Sequence, residues 1–227
     1  MNQLVAQLRM HASELIKGAL IFWTILLTII VVSYLIAFFG GVPDMFVVTN
    51  APIIVFVAIT AFRLVKEDLN YSIHLGLTRS RFALGSLVYI LGISVLFNLF
   101  HQIILFIAAT LQGSVLKDTL TFLSWSSILN NETSFLLDFG LDLLLTVLVG
   151  FLLFFLASLL NRFGQLALYI VGLVSIVAMI VPAVNQKLFE MVMNFYHGTD
   201  PLFIWGMIGV LILLPIFSFF TLQKASA

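Results

Sequence analysis

Residues Phe82 to Leu111 read FALGSLVYILGISVLFNLFHQIILFIAATL, thirty positions without one Asp, Glu, Lys or Arg, and they follow directly on RLVKEDLNYSIHLGLTRSR from Arg63 to Arg81. As a helix the apolar run is about 45 Å long, more than a hydrocarbon layer of roughly 30 Å requires, so it tilts or projects. Lipid offers no partner for free backbone amides, and the run is far longer than a barrel strand of roughly 9–11 residues; it must therefore be helical. The polar stretch before it has to lie at or outside the membrane edge.

Working outward, the same character recurs. The chain has 227 residues, 62% of them apolar or aromatic and 9% charged, too few charges to cover a water-facing surface. Taking each apolar run between its flanking charges gives six spans near residues 19–39, 45–62, 82–111, 139–160, 166–184 and 202–222. The expected fold class is all-α, a single polytopic membrane domain. The first run reads as a retained span, since no A-x-A cleavage pattern follows it.

Six spans place both termini on one side, and the distribution of bases identifies that side as the cytoplasm. Arg9, Lys17, Arg63, Lys66, Arg79, Arg81, Arg162 and Lys224 then fall inside, against Lys117 and Lys187 outside. Residues 3–17 carry Leu4, Val5, Leu8, Ala12, Leu15 and Ile16 at helical spacing, the pattern of an amphipathic helix in the inner interface. A topology-anchoring leader is the alternative. The long outer loop is expected over residues 112–138, and the cytoplasmic one over 63–81.

Several function classes are excluded by missing chemistry. The zero net charge disfavours nucleic-acid binding. There is no cysteine, no H-E-x-x-H, no G-x-S-x-G and no Gly-Lys-Ser or Gly-Lys-Thr of a P-loop. His11, His74, His101 and His197 fall on both sides of the expected membrane, so they cannot make one metal site. The expectation is a chain that is not an enzyme and binds no metal or cofactor of its own.

Two polar constellations remain. In the cytoplasmic stretch, Lys66, Asn70 and His74 recur at i, i+4 and i+8, with Leu64, Tyr71 and Leu75 roughly opposite. This predicts a short interfacial helix that Gly76 ends before Thr78 caps the next one. Lys66, Glu67 and Asp68 also read as a solvated, self-compensating cluster, and Arg79 and Arg81 as ordinary inside-anchoring bases. Within the spans, Asn98, His101 and Gln102 share one helical face at the height of Asp142, the one acid inside an apolar run. They are expected either to line a substrate path, with His101 or Gln102 bonding Asp142, or to hold helices together.

The run LGLTRSRFALG from Leu75 to Gly85 resembles the Gly-x-[Ser/Thr]-Arg-x-x-Phe-x-x-Gly pattern that follows the second span in small permease subunits of the ABC-2 transporter family. Gly76, Thr78, Arg79, Phe82 and Gly85 match it. The resemblance implies that residues 66–75 form a coupling helix docking on a separate cytoplasmic ATP-binding subunit, which carries ATP and Mg. It implies coupling roles for Lys66, Glu67, Asn70, His74, Gly76, Thr78, Arg79 and Arg81, a second permease copy or sister subunit, and a bacterial plasma membrane. Export of an amphipathic or lipophilic cargo, such as a peptide, toxin, drug or lipid, is the function implied. The chain departs from the family in having only a short link between the fifth and sixth spans. An accessory or substrate-capture membrane protein is the alternative.

Overall fold

The computed structural model describes residues 3–40, 45–112, 120–122, 135–182, 184, 186–187, 189–190 and 202–223. Long helices dominate: α1 (Gln3–Gly40), α2 (Asn50–Arg63), α3 (Leu69–His74), α4 (Arg79–Gln112), α5 (Phe135–Phe163), α6 (Gln165–Ile180) and α7 (Leu202–Gln223). Four segments are long and apolar enough to cross a membrane: Leu15–Phe39, Arg79–Ala108, Phe135–Phe163 and Ile204–Gln223. Much of their surface is exposed and apolar, as at Leu20, Phe106 and Ile212. Such a surface is stable against lipid and not against water, so this is a membrane-associated helical protein. The second and fifth expected spans are the shorter apolar helices α2 and α6.

Three expectations are corrected. The segment 3–17 is not a separate interfacial helix: α1 runs unbroken through Lys17 and Gly18. A single helical glycine costs only about 1 kcal/mol, too little to break a helix whose apolar stripe continues. The fold is not purely α, because Met45–Val47 (β1) pairs in parallel with Leu120–Phe122 (β2). The second helix therefore starts at Asn50 and not at Met45; the run Met-Phe-Val-Val-Thr is rich in residues that suit a pleated strand. The loop expected over 112–138 is shortened by α5, which starts at Phe135. Lys117, Trp125 and most of the link around 187–196 lie outside the described residues.

At the centre α5 packs on α2, α4 and α7. Val57, Ala61, Ile90, Val147, Phe151 and Phe154 form the middle of this core. Without a hydrophobic driving force in lipid, such contacts hold helices by close packing. A second core lies between α1, α2 and α4, where Phe56 and Phe97 stack at 5.0 Å and 13°. Trp23 joins it, its ring 4.5 Å from Phe100 and 5.3 Å from Phe97.

Candidate functional site

At one end of the body, α2 runs through a π-helical turn, Leu64–Asp68, into α3. A π turn admits an extra residue and rotates everything after it. The buried stripe is consequently Leu64, Val65, Leu69 and Ser72, while Tyr71 and Leu75, expected on the apolar face, are exposed at 57% and 59%. Lys66, Glu67, Asn70 and His74 also point outward. Arg63 donates from two guanidinium nitrogens to Glu67 Oε2, at 3.0 and 2.7 Å. That hydrogen bond, ahead of the charges of Arg63 and Lys66, holds the Glu67 carboxyl below its ordinary range.

The helix ends as the sequence predicts. Gly76 has φ +85°, its N–H bonds to Ile73 O at 2.9 Å, and Leu77 N–H bonds to Ser72 O at 3.1 Å, the paired bonds of a Schellman ending. Thr78 then starts α4: its carbonyl accepts from Phe82 N–H at 2.9 Å and its hydroxyl from Arg81 N–H at 3.4 Å. Arg79 is half-buried, Arg81 is exposed, and Phe82 and Ala83 anchor the turn with no exposed surface. Gln223 at the end of α7 donates to Ser80 Oγ at 3.1 Å. The result is a hairpin with a charged outer face and a buried apolar base.

A second constellation lies at the far end of α4, about 24 Å from Phe82 along the helix axis. Gln102 Nε2 donates to Asp142 Oδ2 at 3.1 Å. Asn50, the first residue of α2, donates its side-chain amide to Asp142 Oδ1. His101 turns Nε2 to Thr49 Oγ1 at 2.7 Å and leaves Nδ1 3.9 Å from Asp142 Oδ2. Asn98 Nδ2 donates to Ser94 O at 2.8 Å and to Thr146 Oγ1 at 3.1 Å, and Thr146 donates in turn to Asp142 O at 2.7 Å. All four residues expected from the sequence converge here, and of the two partners expected for Asp142, Gln102 makes the hydrogen bond.

The cluster is closed: Asn98, Thr146 and Ser94 have no exposed surface, His101 has 1% and Asp142 5%. The first turn of α2 contributes positive dipole next to the carboxylate. Pro52 fits that turn because a helix's first amides have no internal partner to lose. Thr49, Asn50, Ser94 and Thr146 were not singled out by sequence reasoning. Thr146 was findable, one turn after Asp142 on the same face; Thr49 and Asn50 before Pro52 carry a helix-start signature that the apolar count overrode. Among the described residues, no three His, Asp or Glu side chains converge as metal ligands would.

Comparison with family models, with curated proteins and with solved structures finds no match. The residues of the chain itself must carry the reading of its function.

Proposed function

We propose that the chain is the membrane subunit of an ATP-driven transporter of the ABC-2 type, with six spans in a bacterial plasma membrane and both ends and the 63–81 hairpin in the cytoplasm. ATP and Mg are held by a separate subunit, and the permease works as a pair, with a second copy or a sister chain. Its cargo is amphipathic or lipophilic and moves outward.

One observation carries this reading: the hairpin presents Lys66, Glu67, Asn70, His74 and Arg81 outward while Leu64, Val65, Leu69 and Phe82 fix its base in the core. A segment that only had to be soluble would not need so buried a base. A force applied to the charged face is delivered to α2 and α4 together, because the base belongs to both. At its far end α4 meets α2 and α5 through the polar cluster, so motion of the hairpin has a second junction to act on. A substrate-capture role would instead call for convergent polar groups open to solvent, and this cluster is closed.

The test is purification of the chain from its native membrane, with ATP hydrolysis measured in the isolated complex. An associated ATPase, lost in the double charge reversal Lys66→Glu and Arg81→Glu while the chain remains folded, supports the reading. Cargo movement by the purified chain alone, with no nucleotide-binding partner, would overturn it.

A further inference from the structure

We infer that the cavity between α1, α2 and the π turn binds the headgroup of a membrane phospholipid that carries a primary ammonium, of the phosphatidylethanolamine type. The cavity measures about 150 Å³, and two chemistries line it. Leu15, Phe56 and Ile59 form an apolar wall, and Arg63, Glu67 and Asp68 a charged one. A single water needs roughly 10–15 Å³, so the space admits a headgroup of several heavy atoms.

The sequence builds both walls. Phe56, Ile59 and Arg63 recur at i, i+3 and i+7 on one face of α2, and Leu15 and Gly18 at i and i+3 on α1. Asp68 does not belong on that face of a regular helix: at 3.6 residues per turn, five residues carry it about 140° round from Arg63. The π turn Leu64–Asp68 repeats at i, i+5 and brings it back. Gly18 keeps the space open. A Cβ added there meets the Phe56 ring at 3.8 Å, which is ordinary contact. Packing therefore accepts alanine, a better helix former, and what glycine adds is room.

Charge selects the ligand. Two carboxylates against one guanidinium leave the lining with one negative charge, which favours a cation over an anion. Both bonds from Arg63 end on Glu67 Oε2, so Oε1 keeps its capacity to accept. A primary ammonium brings three N–H donors to such oxygens, whereas the quaternary ammonium of a choline headgroup brings none. Lys17 and Lys66, chain neighbours of Gly18 and Glu67, are exposed and supply the opposite charge for the phosphate. Ile59 is 54% exposed, and the apolar span Leu15–Phe39 starts at the cavity wall. The cavity thus opens at the membrane edge, where the acyl chains of the same lipid lie against Ile59. The inference stands whether or not an ATPase drives the chain.

The test is binding of phosphatidylethanolamine, fluorescently labelled on its acyl chain, to the purified full chain in detergent micelles. Unlabelled phosphatidylethanolamine, phosphatidylcholine, phosphatidylglycerol and dodecylamine compete, the last separating a phospholipid site from one for any lipophilic amine. The expected result is saturable binding that phosphatidylethanolamine displaces at about tenfold lower concentration than the other three. Glu67→Gln with Asp68→Asn should abolish the preference for ethanolamine over choline headgroups. Gly18→Leu should weaken binding of the labelled lipid about tenfold, in a chain whose thermal melt shows it folded. Should Gly18→Leu not fold, the Glu67 and Asp68 double variant carries the test, since neither residue belongs to the packed core. Displacement by any of the other three amphiphiles as strong as by phosphatidylethanolamine would overturn the site. So would an unchanged preference in the double variant, or unchanged binding in a folded Gly18→Leu chain.

Discussion

Gly150 of α5 lies so close to Ile90 of α4 that a Cβ added there would stand 3.0 Å from Ile90 Cγ2, and 3.3 Å from Val57 Cγ1 of α2. Ile90 and Val57 are fully buried, so neither side chain can swing into open space. Small residues at such crossings let backbones approach, which is where helices in lipid gain their packing energy. Alanine gains about 1 kcal/mol of helix propensity against an overpacking cost of about 1–3 kcal/mol. Gly150→Ala should therefore lose about 1 kcal/mol, and Gly150→Leu should leave little folded protein, as measured by unfolding in mixed micelles. A Leu variant as stable as the parent would mean that the three helices do not meet there.

The polar cluster should respond unequally to its members. Asn98→Leu removes one interhelical bond together with an Oδ1 that is buried without a partner, so its cost should stay below about 1 kcal/mol. Asp142→Leu removes the acceptor from the amides of both Asn50 and Gln102 and strands them in the interior. Its cost should reach about 3 kcal/mol. The same unfolding assay checks both, and equal costs would mean that the cluster is not organised around Asp142.

The long helices were legible because lipid leaves the backbone little choice: an uncharged run such as that from Phe82 to Leu111 must be a helix, and α4 spans it. The convergence of Asn98, Gln102 and Asp142 was legible too, from shared helical face and similar depth. The β1–β2 pair was not. Met45–Val47 and Leu120–Phe122 are three residues each and far apart in the chain, and no local pattern selects one as the other's partner. Nor was the buried stripe of the hairpin, because the π turn at Leu64–Asp68 shifts the phase that a count in steps of 3.6 assumes.

Glu67 bears on acid stability. With its carboxyl held low by Arg63, it contributes stability that is present above the ordinary carboxylate pKa and lost as pH falls through the lowered one. The pair is exposed, with side chains 62% and 49% accessible, and such i, i+4 pairs contribute about 0.3–0.5 kcal/mol. Glu67→Gln should lower the unfolding midpoint at neutral pH by only about 1 °C, and the two proteins should converge in acid. A gap that widened as pH fell would contradict this ion pair.

The chain contains no cysteine, so single cysteines report sidedness without a background. Asn70 is exposed on the hairpin and Phe46 is 65% exposed on β1, at the opposite end of the body. In intact cells a membrane-impermeant maleimide should label Phe46→Cys and not Asn70→Cys, and in inside-out vesicles the pattern should reverse. Labelling of Asn70→Cys from outside would remove the hairpin from the reach of any cytoplasmic ATPase.

Gly76 isolates the contribution of backbone shape to the hairpin. Its φ of +85° lies where L side chains are strained, yet a Cβ built there meets nothing within 4 Å. The whole cost of Gly76→Ala is therefore conformational, about 1–2 kcal/mol. Asn tolerates left-handed backbone better than most residues, so Gly76→Asn should recover part of that loss. If the hairpin relays force, Gly76→Ala should also weaken ATPase association, because the Schellman bonds to Ser72 and Ile73 set the angle at which α3 gives way to α4. Pull-down of the partner ATPase beside a thermal melt separates the effects: Gly76→Asn should improve both together. Full ATPase association in a Gly76→Ala chain destabilised by the expected amount would show that the angle of the hairpin does not matter for docking.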